Sequence, residues 1–253
     1  MSGRLKAAVI AGACVGAVAA PAVADAAVAD YRISITNVTS GQPMSPPIVA
    51  THKSQGALWH VSDPASTGVR EIAENGNNGP MLDDLRLRRI RGSIYDYQQL
   101  TSSPMLPGPL VPAGRPGSAT FPASVTGRIR ADLRTAPRLS FVSMLVCTND
   151  GFTGVDGVRL PRKRGRSISV NAIAYETRTE RNTEVFADIM PPCQGLIGPR
   201  SPSGAPGSAT SNPSLAETGV IIPHGGITGG AELDRSVHGW GNPVSKITIK
   251  RVR

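Results

Sequence analysis

Asp150, Glu176 and Glu180 are the side chains whose types and spacing point most directly to chemistry. Asp150 follows the mostly apolar run 139–146 and sits in the turn-forming triplet Asn149-Asp150-Gly151. Glu176 and Glu180 lie four apart, just beyond a second run in which Ile168 and Val170 alternate with Ser167 and Ser169. Two strand-patterned stretches therefore deliver carboxylates to their ends. Such a set suits calcium, a hard cation that takes six to eight oxygens at ~2.3–2.6 Å. Spacing alone equally allows these acids to pair with neighbouring arginines such as Arg178. Asn182 and Glu184 follow in the same stretch and offer further oxygens, whereas Asp156, between Val155 and Gly157, reads as a turn residue bonded to its own backbone.

Other chemistry is thinly represented. Gly-x-Ser-x-Gly, His-Glu-x-x-His, Cys-x-x-Cys and the phosphate-loop pattern are all missing, and His52, His60, His224 and His238 share no metal-ligand spacing. The chain thus reads as a non-enzyme. The rival class is a secreted hydrolase whose active site only the fold assembles. His224-Gly225-Gly226 resembles an oxyanion loop but has no nucleophile elbow to serve.

The net charge of +9 concentrates in Arg86, Arg88, Arg89 and Arg91 and in Arg162, Lys163, Arg164 and Arg166. Clustered cations suit polyanions. Aromatics make up only 4% and no nucleic-acid motif occurs, so a solvated surface or an anionic cell-surface polymer is favoured over nucleic acid.

The elements that must position these groups begin after an export signal. Arg4 and Lys6 precede the apolar run 7–20, and Ala22-Val23-Ala24 before Asp25 fits a cleavage site, giving a leader of residues 1–24. The run is ~14 residues against the ~20 needed to cross a bilayer, so no integral membrane segment is expected in the mature chain. A lipid-acylated Cys14 is the alternative reading of this region. The mature protein is expected to be secreted or periplasmic, where the remaining Cys147 and Cys193 pair, the alternatives being two free thiols or an intermolecular bridge.

Gly 28 and Pro 22 in 253 residues, with few helical periods, argue for one all-β domain over 25–253, an antiparallel β-sandwich with long loops. Tyr31, Ile33 and Ile35 alternate with polar neighbours, 48–51 is a short buried piece, and Ile247 and Ile249 face inward on a last strand whose lysines suit a sheet edge. Helical spacing over 68–87, interrupted at 75–80, fits either two short helices or turns capping one end of the sandwich or simply a long connection between strands. Residues 161–166 form the tip of a basic hairpin, and the Ser/Pro/Gly/Ala-rich 195–219 is expected to be a mobile loop.

Four blocks carry a resemblance: 31–37 with 42–47, Ser-Met-Leu-Val-Cys-Thr-Asn-Asp-Gly-Phe-Thr-Gly-Val-Asp-Gly-Val at 143–158, Ala-Tyr-Glu-Thr-Arg-Thr-Glu-Arg-Asn-Thr-Glu at 174–184, and Trp-Gly-Asn-Pro-Val-Ser-Lys-Ile-Thr-Ile at 240–249. Together they resemble the spondin N-terminal domain family. The resemblance implies a C2-like extracellular β-sandwich with calcium at one end, held by Asp150, Glu176 and Glu180. It also implies a role in adhesion or matrix contact, with an extracellular protein or an anionic polysaccharide as partner. Glu176 stands where the family usually has Asp, Thr177-Arg178 replaces a small Ala-Gly pair, and Cys147 stands where Pro is more common.

Overall fold

The computed structural model describes residues 28–102 and 107–253, so the expected leader and Cys14 lie outside the described residues. Its strands are β1 (Val28–Asn37), β2 (Ile48–His52), β3 (Ile94–Gln99), β4 (Ser124–Asp132), β5 (Arg138–Met144), β6 (Gly151–Arg159), β7 (Ser167–Ala172), β8 (Ala174–Glu176), β9 (Ile222–Pro223) and β10 (Ser245–Arg251). The helices are α1 (Thr67–Asn75), α2 (Gly79–Ile90), α3 (Pro192–Ile197) and α4 (Arg235–His238). The strands form two antiparallel sheets, β4-β1-β10-β7 and β3-β2-β5-β6-β8-β9. The fold is an all-β sandwich.

Apolar alternation builds its centre. Tyr31, Ile33, Ile35, Ile247 and Ile249 of the smaller sheet meet Val49, Leu139, Phe141 and Val155 of the larger. The larger sheet has a second apolar face, where Ile48, Ala50, Val142, Met144 and Phe152 lie under Val69, Ile72, Ala73, Met81 and Leu85. Helices α1 and α2 therefore lie over a sheet face and do not cap an end as expected, because β5 is apolar on both sides and needs cover on both. Gly76, at φ 59°, closes α1 in the left-handed conformation that glycine adopts without a Cβ penalty.

The larger departures concern β6 and its neighbours. The stretch 151–159 is a strand despite three glycines. A Cβ on Gly154 would lie 2.1 Å from the Phe141 carbonyl oxygen, so glycine permits the close approach of β5 and β6. Asp156 is thus a strand residue, not a turn residue, and its Oδ2 lies 2.5 Å from His60 Nδ1. The basic stretch 161–166 is no hairpin tip: β6 pairs with β5 and β8, while β7 pairs with β10 in the other sheet, so it crosses between sheets. β7 then runs through Ile173 straight into β8, one strand serving both sheets. β10 lies between β1 and β7 and is not an edge, although its lysines do face outward.

Cys147 and Cys193 are joined by a disulfide with a Cα–Cα distance of 5.2 Å. It ties the turn after β5 to α3. Within 195–219, Leu215 is buried, Gln194 Nε2 donates to Ala205 O at 2.7 Å, and Ser201 Oγ donates to Glu232 Oε1 at 3.2 Å.

Candidate functional site: an acidic end of the sandwich

The turn between β5 and β6 is built on Thr148, whose Oγ donates to Leu145 O at 2.6 Å and accepts from Gly151 N at 2.9 Å. That turn points its next two side chains inward. Asn149 Oδ1 accepts from Thr183 N at 3.0 Å. Asp150 is fully buried, and its Oδ2 accepts from Thr177 Oγ at 3.0 Å, Thr179 N at 2.9 Å and Glu180 N at 3.4 Å. Its Oδ1 is buried and has no hydrogen-bond partner. Burial pushes the Asp150 carboxyl up to about 6, against the pull of the donors from Thr179, Thr177 and Glu180.

Glu176 ends β8 opposite Gly151, which places it beside Asp150. Half-buried, it accepts from Asn182 Nδ2 at 2.7 Å, and its carboxyl is raised by burial despite that bond. Glu180 forms a β-bridge with Ala216, is 3% exposed, and accepts from Asn212 N at 3.0 Å. Burial pushes it up to about 7, and the neighbouring Glu74, Asp150 and Asp188 push the same way. The three expected carboxylates thus gather at one end of the larger sheet. Among the described residues none of the three forms an ion pair with an arginine. Arg178 instead lies with its Nε 3.7 Å from Glu217 Oε2.

Among the described residues, no group of three or more His, Cys, Asp or Glu side chains converges on a point that would hold a metal ion. What the site offers a cation is therefore the free Oδ1 of Asp150, the oxygens of Glu176 and Glu180 outside their bonds to Asn182 and Asn212, and nearby backbone carbonyls and water. Asn182 is committed to Glu176. Glu184 is a latch: its carboxylate accepts from Thr228 N at 2.5 Å, Gly229 N at 2.8 Å and Gly230 N at 3.0 Å. Burial raises its carboxyl, yet these donors outweigh burial and hold it below the usual range.

Sequence spacing missed Glu74, Asp188 and Asn212, which join Glu180 from α1 and from distant loops. Only Glu74 left a signal, as a carboxylate beside the apolar positions Val69, Ile72 and Ala73 of an amphipathic helix. Glu74 accepts from Ser211 Oγ, and Asp188 Oδ1 accepts from Asn212 Nδ2 at 3.2 Å. A cleft of about 330 Å³ opens here, lined by Glu74, Glu180, Asn212 and Glu217. A second, of about 430 Å³, is lined by Glu176, Asn182, Glu184 and His224. Burial pulls the His224 imidazole down to about 4, so it is neutral at pH 7; its Nδ1 accepts from Gly226 N at 3.0 Å.

The histidines hold structure together. His52 Nε2 lies 2.8 Å from Ser140 Oγ, the spacing of a nucleophile and its base, but both residues are fully buried and Ser140 Oγ also accepts from Gly157 N at 2.9 Å. That pair fills the irregularity in the β5–β6 register. A scan against models of known protein families finds no match, and a search of curated proteins finds none either.

Proposed function

We propose that this chain is an exported, spondin-like calcium-binding β-sandwich that serves as a binding module at a cell surface or in a matrix. The observation that carries the reading is Asp150 Oδ1, a carboxylate oxygen with no partner in a fully buried residue. Leaving such an oxygen unpaired costs several kcal/mol once the group is ionised. A cation at that oxygen removes the cost. Calcium fits because its shell is wide and irregular, accepting carboxylates, carbonyls and water together. Asp150 Oδ1 would supply the first ligand, with the backbone of the 177–180 turn and water; Glu176 and Glu180, which do not converge on that point in this structure, would have to close toward the ion to add theirs. The Cys147–Cys193 disulfide supports an oxidising compartment.

The test is a thermal melt of the mature chain at neutral pH with millimolar calcium and with a chelator. Binding to the native state alone stabilises by ~2.7 kcal/mol at a hundred times Kd, a rise of roughly 5–10 °C for a domain of this size. Asp150→Asn should remove most of that rise. A parent protein that melts at the same temperature in both buffers would remove calcium from this reading.

A further inference from the structure

The smaller sheet turns one face to the core and the other to solvent, and the register fixes what the outer face presents. One row across all four strands reads Arg128, Arg32, Lys250 and Ser167. The next reads Thr126, Ser34, Thr248 and Ser169, and the third Ser124, Thr36, Lys246 and Asn171. No carboxylate and no aromatic ring interrupts these rows. The hydroxyls are linked in pairs: Ser124 Oγ donates to Thr36 Oγ at 2.9 Å, Thr126 Oγ to Ser34 Oγ at 3.2 Å, and Ser169 and Thr248 share a bond of 2.9 Å.

The adjoining row of the same face carries one carboxylate, Asp30, opposite Arg130 and two residues from Arg32. Among the described residues, Arg32, Arg128, Lys246 and Lys250 form no ion pair. Like charges directly opposite on neighbouring strands destabilise a sheet, and Arg32 faces Arg128 on one side and Lys250 on the other. Strands lie ~4.8 Å apart, so the cationic row is ~10 Å across. It continues at its β7 end toward the crossover, where Arg251 N donates to Arg166 O at 3.0 Å and Gly165 N donates to Arg251 O at 2.9 Å. In the α2 cluster, by contrast, half of the arginines are answered: Arg86 lies 3.5 Å from Asp83, Arg88 lies 3.2 Å from Asp84, and Arg88 also donates to the carbonyls of Gly56 and Ala57.

We infer that this outer face docks a linear polysaccharide bearing sulfate or phosphate groups. The cation row neutralises the anionic substituents, and the flanking hydroxyl rows offer donors and acceptors to sugar hydroxyls. Single-stranded nucleic acid is the poorer fit, because its bases need aromatic platforms that these rows lack. The inference specifies the partner that the proposed function leaves general, and it shares no residue with the acidic end.

Affinity of the mature chain for dextran sulfate, a phosphorylated mannan, neutral dextran and an oligo-thymidine strand, measured over a range of salt, tests it. The triple variant Arg32→Ser, Arg128→Ser, Lys250→Ser should lose at least ~tenfold in affinity for one or both anionic polysaccharides at low salt and flatten the salt dependence, since fewer counterions are released. Which polymer responds tells sulfate from phosphate. Arg86→Ser, Arg89→Ser, Arg91→Ser removes equal charge from α2 and should leave affinity nearly unchanged. Arg32→Lys with Arg128→Lys should retain binding, which guards against a fold defect in the serine variant. Equal losses from the α2 and sheet variants, an unaffected sheet variant of parental melting temperature, or tighter binding to the oligonucleotide than to either polysaccharide would each overturn the inference. Binding that disappears with a chelator would also overturn it. Binding that survives the chelator while calcium leaves the melting temperature unmoved would sustain it and remove only the calcium reading.

Discussion

Asp150 does two jobs with two oxygens. Oδ2 gathers Thr177, Thr179 and Glu180 into one turn, and Oδ1 is left without a bond. This division has a pH signature. In the folded chain the Asp150 and Glu180 carboxyls are pushed up to about 6 and about 7. In the unfolded chain they titrate near 4. These two carboxyls therefore contribute stability that is lost as pH rises from about 4 to about 7, while His224, held near 4 against an ordinary value of 6.5, contributes the opposite trend up to about pH 6.5. The Asp150 share is read as a difference: in chelator, the denaturant midpoint of the parent should lose more, or gain less, between about pH 5 and about pH 7.5 than that of Asp150→Asn, and calcium should narrow the difference. Asp150→Asn keeps an oxygen for Thr179 N and Glu180 N without the charge, and should flatten part of the decline. The same pH dependence in the parent and in Asp150→Asn would mean the Asp150 carboxyl is not held as described. Asp150 and Glu176 stood out in the sequence because each follows a patterned run, and Glu180 because it lies four residues after Glu176, though spacing alone equally allowed them to pair with arginines; the resemblance is what made them a set. Their setting was not legible, since the groups that raise Glu180 include Glu74 and Asp188, brought in only by tertiary packing.

At the scale of elements, β5 was readable because both of its faces are apolar, and β1 and β10 because they alternate. β6 was not, since Gly151, Gly154 and Gly157 read as turns until the nearness of the Phe141 carbonyl to Gly154 shows why a side chain is excluded. β4 was hidden under its arginines: Arg128 and Arg130 face outward while Val125, Ile129 and Ala131 are buried. The β-bridge of Glu180 with Ala216 and the latch formed by Glu184 hold the long loops to the sheet end. Glu184 adopts φ 56°, a conformation it keeps because its carboxylate is bound by the N–H groups of 228–230. Glu184→Gln leaves one oxygen for three donors and should cost about 1–3 kcal/mol. Amide exchange should quicken at 228–230 while the protection of β1 and β5 falls only by the loss in global stability. Unchanged exchange at 228–230 would show that the loop is held by other contacts.

For the molecule as a whole, the layers share one strand system: β5 lies between the smaller sheet and α1 and α2. Trp59 packs in the helix-covered layer, while Trp240 touches both apolar clusters. Unfolding should therefore be a single event, with tryptophan fluorescence and far-ultraviolet dichroism tracing one transition in denaturant; separated midpoints would show that the helical layer comes away first. The passage of β7 into β8 sets how the two ends of the molecule communicate. A polymer seated on the outer face as inferred above would touch β7, and the chain goes from β7 through Ile173 to Glu176 without an intervening loop. Tension on β7 would therefore have a direct backbone route to the acidic turn. The β7–β10 and β6–β8 ladders would meet that load one after the other along the same chain, whose last residue, Glu176, lies beside Asp150.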